Sequence, residues 1–185
     1  MSATRPGQST YLLLDIVELL KAEQIDYAVI GALAAAVHGV VRASLDADAV
    51  VRVTIRQLSE LQTKLAARGY LTDLRQGDID DPIPAMLQVS DRHGNRVDLL
   101  AGLRGLEADA YVRAIDIPFA HSSLRVIGRE DFIAMKAFAG GPLDMSDARY
   151  AIAVGRESLD VELLLRLAGL FGAKVRRACE QLLQQ

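Results

Sequence analysis

Two aspartates one residue apart, Asp46 and Asp48, stand at the head of the apolar run Ala49-Val50-Val51. The valines favour an extended strand, in which residues i and i+2 project to the same face. Both carboxylates therefore aim at one spot. Two anions held that close repel, and burial worsens the repulsion unless a cation sits between them. A hard divalent ion such as Mg2+ answers the need, because it takes oxygen ligands and keeps waters that a substrate phosphate can replace. No other feature constrains the chain as much as this pair.

Around the pair, the pattern alternates between helix and strand. Ser9 or Thr10 caps a helix whose apolar stripe is Leu12, Leu13, Ile16, Leu19 and Leu20. Asp26–Gly31 reads as a short buried strand ending at a glycine, Ala32–His38 as a helix closed by Gly39, and Ala47–Val53 as the second strand. A helix over Ile55–Arg68 stops at Gly69. Tyr70–Leu74, Ala85–Ser90 and Arg96–Ala101 read as strands, the last two joined by a hairpin turn at Asp91–Asn95. Gln76–Pro84, with three aspartates and two prolines, reads as a loop beside the site. Residues 115–119 and 123–127 add two short edge strands. Helices follow over Glu130–Lys136, Asp144–Val154, Val161–Leu170 and Ala173–Gln184, with a break at Gly140-Gly141-Pro142. Residues 1–9 read as a loose leader.

This order predicts an α+β fold built on an α/β mixed sheet, with a C-terminal helical lobe. The 185 residues suffice for a real core without disulfides. The single cysteine, Cys179, suits a reducing compartment and reads as a small buried residue. A net charge of −3 argues against broad nucleic-acid coating. Asp15 and Glu18 interrupt the longest early apolar run, so no membrane association is expected, and no signal peptide is evident. The expected location is cytoplasmic.

Asp98 is the third carboxylate. Its strand neighbours Val97 and Leu99 face the opposite side, which leaves Asp98 free to share the face of Asp46 and Asp48. Three such aspartates suit two-metal phosphoryl or nucleotidyl transfer, with Asp98 also placed to accept a proton. Gly31 opens a helix directly from a strand, which offers backbone N–H groups to phosphates. Arg42 and Ser44 lie within reach of the same phosphates. His38 reads as a structural contact, and neither His93 nor His121 has a partner at metal-ligand spacing.

The segments Tyr27-Ala-Val-Ile-Gly31-Ala-Leu-Ala, His38-Gly39 and Arg42-Ala-Ser-Leu-Asp46-Ala-Asp48-Ala-Val-Val together resemble the minimal nucleotidyltransferases of the polymerase-β superfamily. The likeness is greatest to the bacterial group that includes AbiEii-type toxins of type IV toxin–antitoxin systems. There a Gly-Gly or Gly-Ser pair opens a helix, an Arg-x-Thr-x-Asp-x-Asp stretch carries the metal ligands, and an Arg-Val-Asp-Leu-Leu strand supplies a third aspartate. Arg96-Val97-Asp98-Leu99-Leu100 repeats that strand, while Glu130-Asp131-Phe132-Ile-Ala-Met-Lys136 and Gly140-Gly141-Pro142-Leu143-Asp144-Met-Ser-Asp147 resemble two later family landmarks. The resemblance spans roughly residues 11–155 with the landmarks in order. Three departures stand out. Ala32 replaces the second Gly or Ser and brings no hydroxyl, Ser44 replaces Thr, and Gly141 stands where the family often has arginine.

The resemblance implies a nucleotidyltransferase-like core over residues 1–128 and a helical region over 129–185 packed on it as one compact unit. It implies a Mg2+-dependent enzyme, with Mn2+ as substitute, moving an NMP from an NTP to tRNA, a protein hydroxyl or a small molecule. Asp46, Asp48 and Asp98 would be the catalytic and metal-binding carboxylates. Gly31, Ala32, Arg42, Ser44 and Lys136 would bind the nucleotide. A toxin role with a cognate antitoxin is implied as well, and the tail from residue 158 packs either on its own domain or in a homodimer. Lys136 alternatively only snorkels from a packed face, and Asp144 and Asp147 alternatively only cap a helix. A catalytically weak nucleotide-binding or regulatory module and a metal-dependent nuclease are the rival functions. The Gly31 turn ahead of the aspartates favours transfer.

Overall fold

Alternation of buried and open positions along β4 (Ala85–Ser90) and β5 (Arg96–Ala101) sets the two faces of the sheet. Ala85, Leu87, Val89, Val97, Leu99 and Ala101 are buried on one face, while Gln88, Arg96 and Asp98 alternate to the other. These positions come from a computed structural model that describes residues 3–78 and 80–184. Residues 1 and 2 of the expected leader, Ile79 of the expected loop, and Gln185 lie outside the described residues.

Ahead of this hairpin come α1 (Ser9–Ala22), β1 (Tyr27–Ile30), α2 (Gly31–Val37), β2 (Asp46–Val51), α3 (Ile55–Ala67) and β3 (Leu71–Gln76). After it come α4 (Ala110–Arg113), β6 (Ile115–Phe119), β7 (Ser122–Val126), α5 (Arg129–Ala139) and α6 (Pro142–Val154). A 3-10 turn at Arg156–Ser158, α7 (Val161–Leu170) and α8 (Ala173–Leu183) complete the chain. The sheet order is β3-β4-β5-β2-β1-β7-β6. β2 is parallel to β5 and antiparallel to β1, and β1 is parallel to β7, so the sheet is mixed as expected.

The elements follow from local chemistry. Thr54 and Gln57 form a reciprocal capping box that starts α3, and Leu58, Leu61 and Leu65 then recur at helical spacing to bury one stripe. α1 packs against β2, β5 and β7, and α3 against β3 and β4, so both cover the apolar face of the sheet. Gly140, at φ +68°, ends α5 in the left-handed region, and Pro142 opens α6 at a position that needs no N–H. α5 packs on α6, α7 and α8, and Phe132, Ile133, Leu164 and Cys179 belong to the same buried cluster as the strands. Cys179 is fully buried, and burial pushes its thiol up to about 11.

Arg113 ties this helical part to the segment before β6. Its guanidinium donates two hydrogen bonds to the buried Asp131, at 2.8 and 2.7 Å, and lies 2.8 Å from Glu107. Glu107 in turn accepts two hydrogen bonds of 2.8 Å from Arg166 on α7.

Three differences from expectation are local. The short helix α4 was not anticipated, since four residues give too little periodicity to read. The strand carrying the aspartates begins at Asp46 itself, one residue early, and ends at Val51. The leader is not loose over its described part. The buried Asn95 accepts a 2.7 Å hydrogen bond from Gln8 N–H and donates one of 3.0 Å to the Arg5 carbonyl, pinning the segment to the β4–β5 turn.

Candidate active site

Parallel pairing of β2 with β5 sets Asp46 opposite Arg96 and Asp48 opposite Asp98, and β4 brings Gln88 opposite Asp98. Strand alternation then puts the three aspartates, Arg96 and Gln88 on one face. Arg96 Nη2 donates to Asp46 Oδ2, and Gln88 Nε2 donates to Asp98 Oδ1 at 3.0 Å. Asp48 is the most strained electrostatically. Its carboxyl is pushed above the usual range by burial, then by the charges of Asp98 and Asp46, while Lys136 and Arg42 pull it partly back.

On the other side of Asp48 lies the β1–α2 junction, with Ile30 paired to Asp48. Gly31 sits at φ +65°, and a Cβ there would collide with the Asp48 carboxylate. Glycine is thus needed twice, for the backbone conformation and for the close approach of an acid. Ala32 is buried and its methyl side chain carries no polar group, so only its backbone can serve a phosphate. Ser44 is exposed, and its hydroxyl donates to the Asp46 carbonyl at 3.0 Å.

The remaining cations are drawn to carboxylates of α6. Lys136 Nζ lies 2.7 Å from Asp144 Oδ1 and 2.9 Å from Asp147 Oδ2, and Arg42 Nε lies 3.4 Å from Asp147 Oδ2. Lys136 also sits 5.7 Å from the centre of the Phe132 ring. The capping alternative for Asp144 and Asp147 does not hold, because Gly141 is the N-cap of α6 and no side chain caps it. Gly141 matters differently, since a Cβ there would come within 2.9 Å of the Asp144 carboxylate. An apolar cavity of about 260 Å3 opens beside these groups, walled by Ile30, Gly31, Leu100, Met135, Lys136 and Phe138.

His38 is buried, with Nε2 2.8 Å from the Ile127 carbonyl and its ring 5.2 Å from that of Phe132. Burial lowers its pKa, so it serves as a neutral donor inside the core.

Sequence reasoning missed Arg96, Gln88 and the pairing of Asp147 with two cations. Arg96 was detectable, since it lies two residues before Asp98 and so on the same strand face. The Gln88 and Asp147 contacts depend on register and on helix packing far along the chain.

Among the described residues, no three His, Cys, Asp or Glu side chains converge as a ready metal cage. Asp46 is instead turned to Arg96. The donor chemistry nonetheless fits a hard divalent ion: carboxylate oxygens on adjacent strands, with that of Asp48 pushed above its usual range by burial and by its like-charged neighbours.

Solved structures with the same architecture decide the fold. An antigenic nucleotidyltransferase-like protein from Paracoccidioides brasiliensis aligns over 98% of this chain and 90% of its own, with 14% identity and a TM-score of 0.58. ANT(2'')-Ia in complex with adenylyl-2''-tobramycin aligns over 89% of this chain and 96% of its own, at 16% identity and a TM-score of 0.56. The fold is that of the nucleotidyltransferases. The lincomycin-bound lincosamide antibiotic adenylyltransferase LnuA has it too, with 82% of this chain and 99% of that one aligned, 11% identity and a TM-score of 0.53. No protein-family model matches the chain, and sequence comparison with curated proteins finds no match. No helix among the described residues is long and apolar enough to cross a membrane.

Proposed function

We propose that this chain is a Mg2+-dependent nucleotidyltransferase that moves an NMP from an NTP to an acceptor hydroxyl. The observation that carries the reading is the cross-strand pairing of Asp48 with Asp98, with Asp46 on the same face, in a nucleotidyltransferase fold. Asp46, Asp48 and Asp98 would hold the divalent ions. Such ions, when bound, neutralise phosphate charge and acidify an acceptor hydroxyl. Arg96 and Gln88 orient Asp46 and Asp98. Arg42, Lys136 and the backbone at Gly31 and Ala32 hold the triphosphate, with Ser44 at its edge. Asp98 takes the acceptor's proton as the acceptor oxygen bonds to the α-phosphorus and pyrophosphate leaves. Residues 1–128 and 129–185 work as one unit in this scheme, since Lys136 serves a site whose carboxylates lie on the core strands.

Two structural neighbours are described with small-molecule antibiotics or their adenylyl products, which makes a small-molecule hydroxyl the first acceptor class to test. Transfer RNA and protein hydroxyls come next, together with the toxin role that the AbiEii-like motifs suggest. The test is to incubate the protein with labelled NTPs and Mg2+ or Mn2+ in the presence of hydroxylated small molecules, total RNA and total protein. Label transfer that Asp46→Ala abolishes is expected. NTP binding without transfer to any acceptor would assign a nucleotide-binding module instead, and RNA breakdown without NTP would assign a nuclease.

A further inference from the structure

We propose that Asp147 is a positioning residue, a single buried carboxylate that holds Arg42 and Lys136 together so that both face the nucleotide phosphates. The inference rests on the functional reading above and adds the element that sets its cations.

Asp147 lies on α6 and is 1% exposed. A carboxylate at that depth stays charged only beside cations. It has two, and they come from unrelated parts of the chain. Lys136 projects from α5, and Arg42 from the segment between α2 and β2 that leads into the aspartates. One oxygen, Oδ2, lies 2.9 Å from Lys136 Nζ and 3.4 Å from Arg42 Nε.

That oxygen and Arg42 Nε are both buried, and neither has an aligned hydrogen bond. The well-directed bond of Lys136 goes to Asp144 instead, at 2.7 Å. Asp147 therefore acts on the two cations as a shared charge rather than as a fixed hydrogen-bond partner to either. Without it, a lysine and an arginine confined to one corner would repel and separate.

The charges alternate across the site. Asp48 and Asp98 stand on the sheet, the Asp48 carboxylate lies against Gly31, Lys136 lines a cavity with that glycine, and Asp147 backs Lys136 and Arg42 from the helical side. A triphosphate entering over the aspartates with its divalent ions then meets two cations already placed. Asp147 touches neither phosphate nor acceptor in this arrangement, and its effect passes through Arg42 and Lys136.

The test is a mutant cycle on nucleotide affinity, measured by calorimetry with each of the four NTPs and Mg2+ and so independent of turnover. The Kd of the tightest-binding NTP is expected to rise by about tenfold or more in Asp147→Asn. In a Lys136→Met background the same substitution is expected to change Kd by no more than about twofold. Losses that simply add in the two backgrounds indicate a general structural role and overturn the proposal, as does unchanged affinity in Asp147→Asn. Should Asp147→Asn fail to fold, the cycle between Arg42→Met and Lys136→Met reads the same coupling with Asp147 in place. Non-additive effects support the shared counter-ion, and additive ones overturn it. Wild-type protein that binds none of the four NTPs overturns the functional reading itself, whereas tight wild-type binding with no coupling overturns this inference alone.

Discussion

The carboxylate of Asp48 occupies the space that a side chain at Gly31 would need. The strand end and the helix start are therefore fitted around an acid whose carboxyl is pushed above the usual range by burial and then by Asp98 and Asp46. Gly31→Ala should force the carboxylate away and also strain the backbone, at a cost of about 1–2 kcal/mol for the left-handed conformation alone. Nucleotide transfer is expected to be lost while the protein still folds. A thermal melt beside the labelled-NTP assay checks both halves, and retained transfer would refute the placement of Asp48 at the site.

Asp48 should also set fold stability against function. Its folded-state pKa lies above its unfolded value, so the ionised carboxylate disfavours the fold at neutral pH, and that penalty is relieved as pH falls through the raised folded-state value. Asp48→Asn is expected to raise Tm in chelator at pH 7 and to abolish transfer. Added Mg2+ should raise the Tm of the wild type and leave that of Asp48→Asn almost unchanged. Equal Mg2+ responses in the two proteins would exclude Asp48 as a metal ligand.

Acid should weaken the fold in two separate windows. His38 has a lowered pKa in the fold, so its contribution is full above the unfolded value of 6.5 and declines as pH drops below it. Glu107 is held at about 2 by Arg166 and Arg113, against 4.5 unfolded, so its contribution is full above pH 4.5 and is lost as pH falls toward 2. Denaturant melts from pH 8 to pH 2 should show both declines, and Glu107→Gln should shrink only the lower one, to which Asp91 with its lowered carboxyl also contributes.

Leu58 is fully buried on the stripe that α3 lays against the sheet. Leu58→Ala should cost about 2–5 kcal/mol, as large-to-small core changes do. The site is on the opposite face, so transfer per folded molecule is expected to match the wild type. A selective loss of activity at full stability would show that the two faces are coupled.

The chemistry of the site was legible where it followed from short-range periodicity. Asp46 and Asp48 share a face by strand alternation, and Val97 and Leu99 mark the buried side of β5, which leaves Asp98 on the other. The β-hairpin over residues 85–101 and the helices from α5 onward were legible for the same reason. What could not be read locally was the register that sets Asp48 beside Asp98, because parallel pairing of β2 with β5 joins residues 50 positions apart through intervening α3, β3 and β4. The role of Asp147 was hidden likewise. Its spacing from Asp144 suits a helix cap, and only the packing of α6 on α5 turns both acids to Lys136.

The pairing of β1 with β7 bears on when the site comes into being. Ile127 N–H donates to the Val29 carbonyl at 3.0 Å, and its own carbonyl receives His38, so the β1–α2 corner is finished by residues almost a hundred positions later. Non-local closures of this kind are slow steps in folding. Arg42 and the three acids are synthesised before Lys136 and Asp147. Chains ending at residue 120, which lack β7 and Ile127, should accordingly be cut by protease within α2, whereas the full chain should resist. Synthesis thus delivers Arg42 and the three acids first, and Lys136 with the Asp147 carboxylate that joins it to Arg42 arrives last.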